Sequence, residues 1–405
     1  MANTINNYVK NKVRNVIRTE NQGLKQELSQ ELINAAKRLD TQMNYFDRYY
    51  FAATLDQFSN INLWWVDEVK PSNNSIEITG WAIVPYSRQK DIAFTINNVL
   101  FDEIRYPICY PELAKIYYFK PNSAMCGFHC KKYAKGTKLT INNNLLICNI
   151  VDKKTLKPLE EYYKIHCKAE NFDDLPMPDD SNLARIGAKN LQHYRSVGLD
   201  KFMRLQDALK KYANKTYSDM ERILDWGCGC GEVLRYFNNF SNVEVNGADI
   251  DSVNIEWCKR NLDFAKFYQV PLNPPTDLET GYFDLIIGIS VLTHLRENDQ
   301  SDWLAELSRI SRNGAIILMS IHGNGGVAFR NELFDFNKLL SWQEKGFLSI
   351  GVDNAIDAIN DKEYYTTSFQ TDWYIKKQWA KYFQILDVIP SYIGHFQDLV
   401  VMQKI

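Results

Sequence analysis

The run Ile223-Leu224-Asp225-Trp226-Gly227-Cys228-Gly229-Cys230-Gly231 carries an apolar strand through an acid into three glycines spaced two apart. Such a turn lets the backbone approach a ligand where a side chain would fill the space. A carboxylate at its head suits a ligand bearing an amino group. The next apolar run, Val243-Glu244-Val245-Asn246-Gly247-Ala248, ends in Asp249. It lies about 20 residues after the first glycine, the separation at which a strand–helix–strand unit grips a ribose diol. The ligand is therefore expected to contain a nucleoside. A dinucleotide turn would place its last glycine at position 232, with a helix N-terminus facing a pyrophosphate. Glu232 stands there instead and would repel a diphosphate. The spacing favours a cationic, amino-acid-bearing nucleoside over a nicotinamide dinucleotide.

These residues resemble the class I S-adenosylmethionine-dependent methyltransferases. Phe283-Asp284-Leu285-Ile286-Ile287-Gly288-Ile289-Ser290-Val291-Leu292-Thr293-His294-Leu295 is similar to that family's fourth motif, and Gly314-Ala315-Ile316-Ile317-Leu318-Met319-Ser320 to its fifth strand. The resemblance covers residues 180–405. It implies S-adenosyl-L-methionine as cofactor, its methionine part lying along Gly227, Cys228, Gly229 and Gly231. By the same resemblance Asp225 contacts the ammonium group, Asp249 the ribose hydroxyls, and Ile250 the adenine face. Leu272 belongs to the segment beside the adenine edge, where the family commonly has an acid and this chain has none. Ile289 and Ser290 would lie near the sulfonium. Tyr194, in His193-Tyr194-Arg195-Ser196-Val197-Gly198, would close over the cofactor. No metal ligand is implied.

The reaction would be in-line displacement of the sulfonium methyl, with catalysis mainly from alignment. A base matters when the acceptor is an alcohol. His322 in Ser320-Ile321-His322-Gly323 is the first candidate and His395 the second, since ligands bind at strand carboxyl ends in open α/β sheets. His294 reads as a helix-start residue with a structural hydrogen bond. Tyr364-Tyr365-Thr366-Thr367-Ser368-Phe369 and His395-Phe396-Gln397-Asp398 resemble a bacterial subset associated with surface-glycan pathways. Tyr365 is the third catalytic candidate. The subset implies O-methylation of a sugar or glycan precursor in polysaccharide biosynthesis. The alternatives are a small metabolite or peptide acceptor, or a noncatalytic glycan-binding or partner protein with a relic methyltransferase domain.

These residues need a scaffold. From residue 182 onward, strands at 222–226, 243–248, 266–270, 283–289 and 315–320 alternate with helices at 232–240, 252–263 and 301–311. This order predicts a Rossmann-like α/β domain, a parallel sheet covered on both faces. A helix at 372–382 and strands at 383–388 and 398–402 would add an antiparallel last strand. Residues 169–181, with Asp173, Asp174, Pro176, Pro178, Asp179 and Asp180, read as a linker.

Upstream, residues 59–168 read as a β-rich, sandwich-like accessory domain, with strand alternation in Ser75–Val84 and a hairpin around Asn142-Asn143-Asn144. Gly80-Trp81-Ala82 loosely resembles a strand of β-domains attached to glycan-modifying enzymes, yet Trp81 reads equally as core. Cys126-Gly127-Phe128-His129-Cys130 lacks a second ligand pair and reads as buried small hydrophobes. Residues 1–58 carry helical periodicity and would serve as a packing or homodimer element.

At 405 residues two domains plus an extension are expected. A net charge of −2 argues against a nucleic-acid partner. No run is long and apolar enough to span a membrane, and no signal core opens the chain, so a cytoplasmic location is expected.

Overall fold

The computed structural model describes residues 47–58, 62–72, 74–133, 145–160, 164–168, 175–351 and 364–405. Most of the expected N-terminal helix, the Asn142–Asn144 hairpin turn and the first half of the linker lie outside these residues. Residues 47–58 are helical. The chain divides at Thr54, and Leu55–Ile405 form one compact unit.

The first eight strands of that unit are β1 (Leu63–Pro71), β2 (Ser75–Ile83), β3 (Ile92–Ile96), β4 (Val99–Leu100), β5 (Glu103–Ile108), β6 (Gly127–Tyr133), β7 (Leu145–Asp152) and β8 (Ile165–Lys168). They form two four-stranded sheets, ordered β1-β2-β6-β5 and β4-β3-β7-β8. Every pairing is antiparallel. Trp64, Ile76, Ile78 and Phe128 from one sheet pack on Ile92, Phe94, Ile96 and Leu146 from the other. Inward alternation on both sheets is what a sandwich core requires. Cys130 lies in this core, whereas Cys126 is buried in a separate cluster with Trp81 and Tyr117. The two thiols thus serve different hydrophobic layers.

The nine remaining strands are β9 (Arg222–Trp226), β10 (Glu244–Asp249), β11 (Lys266–Gln269), β12 (Phe283–Gly288), β13 (Ser311–Ile321), β14 (Phe347–Ile350), β15 (Thr367–Gln370), β16 (Gln384–Ile393) and β17 (Gln397–Gln403). Seven form one sheet, ordered β11-β10-β9-β12-β13-β17-β16. β9 to β13 are mutually parallel, and β17 runs antiparallel to both β13 and β16. The central strands are apolar on both faces, as a sheet covered by helices demands. Ile223, Leu285, Ile287 and Leu318 face the Leu191–Ala213 helix with Phe202, Leu205 and Leu209. Leu224, Ile286, Ile317 and Met319 face the Glu297–Ile310 helix with Trp303, Leu304 and Leu307. The expected Rossmann-like methyltransferase architecture is present.

Two departures bear on the site. Residues 232–240 do not form an α-helix; only a 3₁₀ turn at Leu234–Phe237 follows the glycines. The sequence there continues Asn238-Asn239-Phe240-Ser241-Asn242, residues that favour turns over helix interiors. The second departure is an insertion after β13, whose described residues add two helices and the β14–β15 pair. It crosses the carboxyl edge of the sheet. The Thr366 and Ser368 amides donate to the carbonyls of His294 and Thr293, and the Gln370 amide donates to the His322 carbonyl. The insertion therefore stitches the exits of β12 and β13 together.

Candidate active site

Strand order reverses between β9 and β12, and the connections leaving their carboxyl ends part to opposite sides. A crevice is expected at such a switch point. One of about 330 Å³ opens there, walled by the β9 glycine turn, the ends of β10 and β12, the Arg185–Gly187 segment, Lys201 of the Leu191–Ala213 helix and the insertion.

The turn is built by its backbone. The amides of Gly227 and Cys228 both donate to the Ala248 carbonyl, at 2.7 and 3.1 Å. This ties the β9 exit to the β10 exit. Gly227 and Gly229 have φ of +77° and +52°, a left-handed region costly for residues with a Cβ. A Cβ at Gly227 would lie 2.2 Å from Val291, and one at Gly229 would lie 2.6 Å from Ile186. The glycines are thus demanded by backbone conformation and by these two neighbours, in addition to any ligand. Gly231 also has positive φ, but its missing side chain faces Leu262 behind the crevice.

Two carboxylates face each other across this turn. Asp249 accepts from the Gly229 amide and from the Asp251 amide, both at 2.8 Å. Asp225 is buried at the end of β9. Burial and then the Asp249 charge raise its pKa to about 7, and burial raises that of Asp249 to about 6. Such a pair suits a cationic ligand, which relieves both desolvation and mutual repulsion. Lys201 and Glu232, also on the wall, form an ion pair at 2.5 Å. Glu232 therefore presents a neutralised edge rather than a bare charge. Asp251 does not line the crevice. It caps the following helix through the Val253 amide and pairs with Arg185 at 2.7 Å.

The pair predicts opposite pH trends for binding and stability. Affinity for a cationic nucleoside falls as pH drops below about 7, approaching tenfold per unit, because the protonated carboxyls no longer attract it. For the free protein, a carboxyl with a raised folded pKa holds a proton the unfolded chain has released. Its contribution to stability therefore declines as pH rises from about 4 to 7. Titration calorimetry and thermal melts across this range check both trends; a flat affinity profile would refute the first.

The crevice wall includes Asp225, Gly227, Cys228, Gly229, Asp249, Ile250, Ile289, Ser290 and Tyr365, all expected from the sequence. Five expected site residues lie elsewhere: Gly231, already described behind the crevice, and Tyr194, Leu272, His322 and His395. Tyr194 is fully buried behind the turn, donating to the Cys230 carbonyl at 2.8 Å and accepting from Arg235. It anchors its helix to the turn, and Lys201 further along the same helix reaches the crevice. Leu272 contributes a carbonyl that accepts from Trp303 and Tyr364. His322 is buried between Phe369 and Phe396 and donates from Nδ1 to the Ser368 carbonyl at 3.2 Å. His395 is packed among Trp65, Trp81 and Phe329. Burial holds both imidazoles down at about 3, so both rings are uncharged at neutral pH. Neither histidine lines the crevice.

His294, read from sequence as a helix-start residue, lines the crevice. It stacks face to face on Tyr365, with ring centroids 4.5 Å apart and planes 7° from parallel. Leu295 and Tyr365 form an antiparallel bridge that holds the two segments in register. The only sequence hint was position: His294 follows the β12 exit by a few residues. Its partner comes from the insertion, about 70 residues later in the chain.

Residues 223–314 match the methyltransferase domain family. The chain carries a methyltransferase domain. Among solved structures it is similar to the PH0226 protein of Pyrococcus horikoshii, at 17% identity over 52% of this chain and 95% of that one, with TM-score 0.38. It is similar to an S-adenosylmethionine-dependent methyltransferase of Methanosarcina mazei, at 18% identity over 48% and 96%, with TM-score 0.36. It is also similar to the Burkholderia thailandensis 1,6-didemethyltoxoflavin-N1-methyltransferase, solved with 1,6-didemethyltoxoflavin and S-adenosylhomocysteine. That likeness has 15% identity over 61% and 98%, with TM-score 0.36. No curated protein matches the chain. The methyltransferase domain has S-adenosylmethionine as its cofactor. The crevice fits that molecule chemically: a glycine turn for the chain, paired buried carboxylates for cation and diol, and apolar Ile250 and Val270 for the base. Among the described residues no helix is long and apolar enough to cross a membrane.

Proposed function

We propose that this methyltransferase transfers the methyl group to a hydroxyl of a sugar or glycan precursor in the cytoplasm. The observation that carries the hydroxyl chemistry is the stacked His294–Tyr365 pair on the crevice wall, since an alcohol needs a base where a free amine does not. The bacterial glycan-pathway resemblance supports the sugar. The chain would act as four parts, divided at 58, 168 and 181, with the N-terminal segment available for homodimerisation.

S-adenosylmethionine supplies an electrophilic methyl on a positively charged sulfur. In this reading Asp249 takes the ribose hydroxyls and Asp225 the ammonium. The Lys201–Glu232 pair complements the amino-acid end, with Lys201 toward its carboxylate. Ile250 and Val270 cover adenine, and Ile289 and Ser290 border the reacting end. His294 would take the proton of the acceptor hydroxyl, and the bound cofactor would supply the methyl group and leave as a neutral thioether. Tyr365 fixes the imidazole plane.

Incubation with methyl-labelled cofactor and panels of sugars, nucleotide sugars, oligosaccharides, peptides and small aromatic compounds tests the acceptor. Label entering a sugar hydroxyl is expected; label confined to peptide or amine acceptors overturns the reading. His294→Ala is expected to lower turnover about 100-fold or more, while S-adenosylhomocysteine affinity shifts less than about threefold. An equal loss in both would make His294 a cofactor contact instead of a base.

A further inference from the structure

Ser290 sits on the crevice wall immediately after β12 and Ile289, with φ of +61°. A serine in the left-handed region persists only where its surroundings hold it. Two side chains do so. The Ser290 amide donates to Ser320 Oγ at 2.7 Å, and Ser290 Oγ meets the Gln397 amide group at 2.9 Å from Nε2 and 3.2 Å from Oε1. Gln397 is buried at the start of β17, opposite Ile393 across the last hairpin turn. Gly394 and His395 make that turn, both at positive φ.

The turn is not free in solvent. The His395 ring stands edge-on to Trp81, at 5.0 Å and 90°, and also lies against Trp65 at 5.9 Å. Both tryptophans belong to the β-sandwich, on β1 and β2. Phe329 extends the same cluster, reaching Tyr117 on one side and stacking on Phe396 at 4.4 Å on the other. The Asn331 side chain adds a polar clasp by donating to the Ile116 carbonyl at 2.9 Å. Trp81, one sugar-stacking candidate of the sandwich, is spent on this contact and is 4% exposed.

We infer that the β-sandwich braces the cofactor crevice: Trp65 and Trp81 clamp the His395 turn, and Gln397, as a positioning residue, transmits that clamp to Ser290. The inference rests on the crevice being the cofactor site. His395 is a neutral wedge in this device. The physical logic is that a strained backbone position is expensive to hold, and a second hydrophobic cluster holding its hydrogen-bond partner lowers that cost. The sandwich is thereby part of the catalytic unit rather than a tethered module.

The test uses the full chain, with S-adenosylhomocysteine as titrant and hydrogen exchange of the 286–292 peptide as a second readout. Gln397→Ala is expected to weaken binding about fivefold to tenfold, the effect of one lost hydrogen bond. His395→Gly keeps the turn conformation but removes the wedge, and is expected to weaken binding at least threefold with faster exchange at 286–292. The double variant should lose less than the product of the two, since both act through one contact. Trp81→Phe, a milder change to the sandwich face, should shift exchange in the same direction. A His395→Gly protein with wild-type affinity and unchanged exchange overturns the brace, as do fully multiplicative losses. If wild type binds no S-adenosylhomocysteine but His395→Gly still speeds exchange at 286–292, the brace stands and the cofactor reading falls.

Discussion

Replacing Asp249 by alanine is expected to abolish measurable cofactor binding, a loss of at least about 100-fold, while the protein stays folded. The carboxylate accepts from the amides of Gly229 and Asp251. Charge-assisted bonds of this kind are worth about 1.5–3 kcal/mol each, and each 1.4 kcal/mol is tenfold in affinity. Losing them frees the glycine turn as well as removing the group proposed for the ribose diol. Asp249→Asn is the sharper variant. It preserves shape but replaces one acceptor oxygen by a donor that faces an amide donor. It also removes the charge that helps hold Asp225 protonated. Asp225 should then ionise at lower pH, and the free protein should lose stability less steeply with rising pH. Calorimetry for affinity and thermal melts for stability separate the two effects. Unchanged affinity in Asp249→Ala would place the nucleoside elsewhere.

Gly229→Val is expected to eliminate binding and to cost about 2–5 kcal/mol of stability. The left-handed backbone accounts for about 1–2 kcal/mol of this, and overpacking against Ile186 for the remainder. Gly229→Ala carries the same backbone penalty with a smaller side chain. It should fall between valine and wild type in both melting temperature and affinity. This graded series distinguishes a conformational requirement from steric exclusion of the ligand. If alanine were as well tolerated as glycine, the left-handed turn would not be the source of the requirement.

The glycine turn and the two carboxylates of the crevice were legible because their information is local. Asp225, Gly227, Gly229 and Asp249 lie within one strand–turn–strand unit, and their spacing translates directly into neighbouring positions at one sheet edge. The apolar runs of β9, β12 and β13 likewise announce strands buried on both faces. Tyr194 was misassigned for a related reason. Periodicity shows that a helix passes the turn but not which of its faces meets the crevice. Glu232 read as a bare negative charge because Lys201, its partner, is 31 residues away.

The histidines show where local reading stops. His322 and His395 lie near strand ends, where catalytic groups often lie, yet each is enclosed by aromatic rings from segments distant in the chain. A position near a strand end says nothing about what later packs over it. His294 was discounted because its significance depends on Tyr365, delivered by an insertion whose course along the sheet edge is set by amide bonds to residues 293, 294 and 322. From the sequence alone came the sheet, the glycine turn and the two carboxylates, because hydrophobic period and short-range spacing encode them. Which imidazole lines the crevice, and that tryptophans of the β-sandwich pack on the last hairpin turn, were decided by tertiary packing, because those contacts join residues with no shared local pattern.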